Sequence, residues 1–160
     1  MKYSRERDEI CIRLSKMQAR MFEKASEEGL PSYFFVKAYA TSPYILKIDS
    51  LKILDIDLSE QEIFEAAKRK VKTRRGTVYE IEVMGWIGYL LREWSYRYDV
   101  FTPALIKKVS LSYLASVYHP YHSLDVLKAI QKIAEEKNID LNEDPQQRLI
   151  RILKEMKKEN

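Results

Sequence analysis

Cysteine is nearly absent from this chain of 160 residues, where Cys11 stands alone. An internal disulfide needs two thiols and a zinc site built on cysteine needs several, so both are excluded. Glycine and proline are scarce too, at four and five residues, which leaves long stretches free of helix breakers. No apolar run approaches the roughly 20 residues of a membrane-spanning helix. The opening from Met1 to Arg7 is polar and charged, without the apolar centre of a signal peptide. These absences predict a cytoplasmic protein with no membrane contact.

Catalytic signatures are missing as well. There is no Walker sequence, no glycine-rich dinucleotide turn, no glycine-flanked nucleophile elbow and no active-site cysteine pattern. The expectation leans away from an enzyme, with no catalytic residue assigned, no metal and no cofactor.

What is present suits one buried core. Hydrophobic residues make up 46% of the chain and charged residues 32%, with a formal net charge of +4. That describes a single domain over residues 1–160, with signs interspersed on its surface. Its core is expected over 30–137, with an N-terminal helix at 4–29 and a C-terminal helix at 145–159 packing on it or projecting.

Periodicity and punctuation read as all-α, a compact bundle of about six to eight helices around a central helix near 77–98. Ile10, Leu14, Met17 and Met21 form the seam of helix one, with Gly29 suited to the left-handed residue after it. Pro31 and Ser32 open a second helix, which Pro43 stops. The dense apolar run from Tyr44 to Leu58 reads as a short helix and an extended stretch. Alternation at Leu54, Ile56 and Leu58 permits one short strand near 53–58. Ser59 with Glu62 and Thr77 with Glu80 have the spacing of capping boxes, the first opening a helix that ends near Gly76. Thr102 with Pro103, Ser123, and Asp144 with Pro145 mark later starts, and Pro120 an interruption.

The 77–98 segment is apolar on two faces. Val83, Ile87, Leu90 and Trp94 line one; Ile81, Gly85, Gly88, Tyr89, Arg92 and Tyr96 line the other, leaving Glu82, Glu93 and Arg97 for solvent. Two glycines inside a helix each cost about 1 kcal/mol relative to alanine, which points first to a neighbouring helix and second to a ligand. Arg92 on that face requires a carboxylate, carbonyls, an aromatic face or an anion. Both histidines fall in Tyr118-His119-Pro120-Tyr121-His122. They could ligate a metal or carry a proton, but packing around a helix cap suffices. Arg92, Tyr96, Tyr118, His119, Tyr121 and His122 are therefore the candidate partner-binding residues, combining the arginine and tyrosine that dominate hot spots.

Lys68, Arg69, Lys70, Lys72, Arg74 and Arg75 place six cations in eight residues. Solvated helix face and helix-end charge explain most of the run. A nucleic-acid-binding protein using Lys68, Arg69, Lys72, Arg74 and Arg75 on phosphates is the alternative, and an unfamiliar enzyme centred on Arg92 with His119 and His122 is a second.

The segments Arg75-Gly76-Thr77-Val78-Tyr79-Glu80, Trp86-Ile87-Gly88-Tyr89-Leu90 and Tyr121-His122-Ser123-Leu124-Asp125, with Ala129-Ile130, resemble a group of small uncharacterised bacterial proteins across about residues 45 to 134. Such proteins are similar to components of toxin–antitoxin-type operons. The resemblance implies a protein partner, a toxin, and a non-enzymatic interaction module that neutralises it. It carries over no functional residues.

Overall fold

The computed structural model describes residues 5–50, 59–142 and 145–159. These residues form ten helices and no strand: α1 (Arg5–Glu27), α2 (Ser32–Ala40), α3 (Ile45–Asp49), α4 (Glu60–Val71), α5 (Ile81–Arg97), α6 (Thr102–Lys108), α7 (Leu111–Ser116), α8 (Tyr118–Tyr121), α9 (Val126–Glu136) and α10 (Pro145–Glu159). The all-α bundle matches expectation, with more and shorter helices than the six to eight anticipated. The strand allowed near 53–58 lies outside the described residues, as does Asp144.

The fold centres on α5. Its buried residues include Ile87, Leu90, Leu91 and Trp94 on one side and Gly85, Gly88 and Arg92 on the other, so the two-faced pattern corresponds to a helix enclosed by neighbours. α1 is its principal partner and runs antiparallel to it, since Glu23 lies at Gly85, Gln18 at Gly88 and Asp8 at Tyr96. Behind this pair α2 packs on α4, and α6, α7 and α9 close the other side of α5. The ring of Phe22 meets Phe35 and Tyr39 edge-on, at centroid distances of 5.9 and 5.4 Å, joining α1 to α2.

The glycine pair explains the closeness of α1. A Cβ built on Gly88 would stand 2.9 Å from the Gln18 carbonyl oxygen and 3.1 Å from Ala19 Cα, both backbone atoms that cannot swing aside. At Gly85 the obstruction is the Glu23 side chain, at 2.5 Å from its Oε1. Helix packing, rather than a ligand, occupies this stripe.

Several helix starts moved for identifiable reasons. Ser59 caps α4 by accepting the Glu62 N–H at 3.2 Å. Thr77 caps nothing: its carbonyl accepts the Ser32 N–H, and the Ser32 hydroxyl accepts the Tyr79 N–H, both at 2.9 Å. Residues 77–80 are thereby tied to the start of α2, and α5 begins at Ile81 rather than near 77. Asp125, not Ser123, caps α9 by accepting the Leu127 N–H at 3.0 Å. Pro120 sits within the single turn of α8 instead of interrupting a helix, because a first-turn residue has no intrahelical N–H bond to lose. Gly29 takes the expected left-handed conformation, with φ of 71°. α4 ends at Val71, short of Gly76, so Arg74 and Arg75 lie beyond its last turn.

Gly88→Ala measures the α1–α5 contact. Helix propensity alone would stabilise this variant by about 1 kcal/mol, whereas overpacking against fixed backbone costs about 1–3 kcal/mol. Net destabilisation in chemical unfolding is the expected result; a gain in stability would show that the helices stand further apart.

Candidate functional site

Arg92 has no exposed surface, and every arm of its guanidinium is engaged. Nη1 donates to Asp49 Oδ1 at 2.6 Å, while Nε and Nη2 donate to Gln18 Oε1 at 3.2 and 3.0 Å. Nη2 also reaches Thr102 Oγ1 at 3.2 Å. Asp49 is equally well satisfied: its Oδ2 accepts the Thr102 N–H at 2.9 Å and its Oδ1 the Thr102 hydroxyl at 2.6 Å. Gln18 completes the network, accepting from the Tyr39 hydroxyl and donating Nε2 to the Gly88 carbonyl at 2.8 Å.

Five helices meet in this cluster, α1 through Gln18, α2 through Tyr39, α3 through Asp49, α5 through Arg92 and α6 through Thr102. Asp49 also caps α6 from outside, since its carboxylate takes an amide hydrogen in that helix's first turn. The arginine predicted to need a partner has an internal one. No outside molecule can reach it in this conformation.

Tyr96 is buried and donates its hydroxyl to Asp8 Oδ1 at 2.7 Å. Glu93, expected in solvent, is 3% exposed and accepts from Arg97 Nε at 3.2 Å. The residues that do reach solvent lie in and beside α8. Tyr118 stacks on His122 with ring centroids 4.3 Å apart and meets Trp86 of α5 edge-on at 5.7 Å. The His122 Nδ1 lies 2.8 Å from the Tyr118 carbonyl, which accepts the ring N–H. Tyr121 and Tyr113 both donate to the carboxylate of Glu136, and these bonds hold that carboxyl below its ordinary pKa. The six candidate partner-binding residues thus divide: Arg92 and Tyr96 are inside, and Tyr118, His119, Tyr121 and His122 are at the periphery. Among the described residues, no group of three or more His, Cys, Asp or Glu side chains is placed to hold a metal.

The basic run is partly occupied. Lys68 pairs with Glu28 at 2.6 Å, and Arg74 lies over the Phe34 ring at 5.2 Å. Arg69, Lys70, Lys72, Arg74 and Arg75 are all exposed.

α10 presents a different surface. Leu149, Ile150, Leu153 and Met156 are 56%, 54%, 50% and 57% exposed. Leu149, Leu153 and Met156 are spaced by four and three residues, one stripe of a helix, and Ile150 widens it. Lys154, Lys157 and Lys158 are exposed beside it. Over 145–159 the sequence has five cations, Arg148, Arg151, Lys154, Lys157 and Lys158, against two acids, Glu155 and Glu159. Among the described residues no other helix packs extensively on α10. Scattered exposed apolar residues are ordinary, whereas these four lie contiguously on one helix.

No protein family, no curated protein and no solved structure matches this chain. The surfaces themselves therefore carry the functional reading.

Two measurements test the buried network. Arg92→Leu leaves the Asp49 carboxylate without its charge partner, and losing one member of a buried pair costs about 3–5 kcal/mol. Adding Asp49→Leu to that variant should restore part of the loss, as a double-mutant cycle in chemical unfolding would record; strictly additive losses would show that the pair is not coupled.

Alkaline pH tests the same core independently. Burial, with Glu93 adding to it, pushes the Cys11 thiol up to about 12. Burial also raises Tyr39, while burial and the bond to Asp8 raise Tyr96. The folded state keeps these protons after the unfolded chain begins to release them, so stability should fall as pH rises above about 8.5 and continue downward through the tyrosine range near 10. Thermal melts should show that fall, and Cys11→Ala should shallow its first part. A melting temperature constant to about pH 11 would contradict the assigned burial.

Proposed function

We propose that the chain is a non-enzymatic interaction protein of the cytoplasm and that α10 is the element it offers to its partner. The observation that carries this reading is the exposed stripe of Leu149, Ile150, Leu153 and Met156. An amphipathic helix lays such a face into an apolar groove and is read through anchors three and four residues apart. The cations beside the stripe select a groove with an acidic rim, because like charges would oppose a basic one. They also disfavour α10 pairing with its own copy. The resemblance to proteins of toxin–antitoxin-type operons supports a toxin as the partner's class, with neutralisation as the outcome of binding.

The buried network has no part in recognition under this reading; it holds the body from which α10 is presented. The two alternatives lack an equivalent observation. Lys68 pairs with Glu28, although Arg69, Lys72, Arg74 and Arg75 stay exposed, and the buried Arg92 shares no surface with His119 or His122.

Leu149→Ser, Leu153→Ser and Met156→Ser combined should change the stability of the body by no more than about 0.5 kcal/mol per site, as exposed positions do. The same variant should reduce capture of one near-stoichiometric host protein by at least about tenfold, or ~1.4 kcal/mol. Lys154→Glu, Lys157→Glu and Lys158→Glu combined should weaken capture of that same protein. Undiminished capture by the folded serine variant would remove α10 from the interface.

A further inference from the structure

α2, α6 and α7 do not close completely on α5. They leave a cavity of about 540 Å³, within the roughly 300–1,000 Å³ range of small-molecule sites. Its walls come from Val36, Leu91, Ile106, Val109, Leu111 and Leu114. Most of these are core residues, so side chains that would normally finish the interior line an empty space instead. Tyr33, Lys107, Ser110 and Ser112 also line the cavity and are exposed, which opens it to solvent.

The charge at this opening has one sign. Lys37 on α2 and Lys107 on α6 both line the cavity, and no aspartate or glutamate does. Neither lysine forms an ion pair among the described residues, in contrast to Arg20, Lys68, Arg92 and Arg97, each of which has a carboxylate partner. Lys37 Nζ stands 6.0 Å from the centre of the Tyr33 ring, over one edge of the mouth. The Ser110 and Ser112 hydroxyls, bonded to each other at 3.3 Å, leave one further O–H donor at the opening.

The geometry points to a binding site for a small, predominantly apolar molecule carrying one acidic group, such as a medium-chain carboxylic acid. Its hydrocarbon part fills the space bounded by Val36, Leu91 and Leu114, where contact replaces water against apolar walls. Its carboxylate remains at the mouth, facing Lys37 and Lys107, which provide charge-assisted donors without having to leave water. A neutral molecule of the same length gains only the first contribution, and a cationic one is opposed by both lysines. This site is independent of α10 and of the buried arginine network, since none of their residues lines it.

Decanoate, decanol and decylammonium, used as monomers below their aggregation limits, separate these contributions. Calorimetric titration of the full chain should rank them in that order, with decanoate at least about tenfold tighter than decanol. Lys37→Gln with Lys107→Gln, two exposed substitutions that leave the core untouched, should bring decanoate to within about threefold of decanol without altering decanol binding. Methyl resonances of Leu91, Leu111 and Leu114 should move on titration, and Ile106→Trp, which fills the cavity, should abolish the response. The proposal is overturned if decanoate binds no tighter than decanol, if the double glutamine variant keeps the full preference, or if the moving methyls lie elsewhere. The methyl shifts decide the location even if Ile106→Trp fails to fold.

Discussion

Arg92 carries a permanent positive charge at a position with no access to water, and the packing of five helices follows from satisfying it. The cost of an unpaired buried charge far exceeds the stability of a small domain, so the chain must bring a carboxylate and several oxygens to one point. Asp49, Gln18 and Thr102 meet that requirement from three separate helices. Bringing Gln18 near enough depends on the absence of a side chain at Gly88, whose carbonyl in turn receives the Gln18 amide. The close approach of α1 and the solvation of Arg92 are thus one arrangement. A hydrophobic replacement of the whole cluster could be as stable; what the cluster provides is hydrogen bonds linking Gln18 of α1 to Arg92 and the Gly88 carbonyl of α5.

Much of that arrangement was legible from spacing. The seam through Ile10, Leu14 and Met21, the left-handed Gly29, and the glycines sharing a face with Arg92 all depend on residues near one another in sequence. Asp49, 43 residues from Arg92, and Gln18, 74 residues away, were not identifiable as its partners, because nothing local distinguishes a carboxylate or amide that will be buried from one that stays in water. Thr77 shows the reverse failure: its spacing to Glu80 satisfies a local capping rule, but a long-range bond from Ser32 takes its carbonyl and holds the segment extended. Glu93 was assigned to solvent by the same local logic. Its burial depends on neighbours that the pattern of α5 alone does not reveal.

The proposed binding surfaces were harder to read for a related reason. Periodicity identifies an apolar stripe but does not say whether another part of the chain covers it. The stripes of α1 and α9 are buried in the core, whereas that of α10 is exposed. The cavity between α2, α6 and α7 is less visible still, since Val36, Leu91 and Leu114 read as ordinary core residues and act as walls only because the helices leave space between them. The polar residues that drew most notice in the sequence, Arg92 and Tyr96, turn out to hold the scaffold, and the two proposed binding surfaces are mainly apolar with lysines at their edges.

Amide hydrogen exchange on the isolated protein, followed residue by residue, tests this division between scaffold and presented surface most directly. α1 and α5 from Leu14 to Met21 and from Ile87 to Trp94 should exchange only through global unfolding, at the slowest rates in the chain, because opening either helix exposes the Arg92 network. Amides of α10 from Leu149 to Met156 should exchange orders of magnitude faster, since among the described residues no other helix packs extensively on α10. Equal protection of α10 and α5 in the absence of any partner would contradict the account, showing that the terminal stripe is already covered.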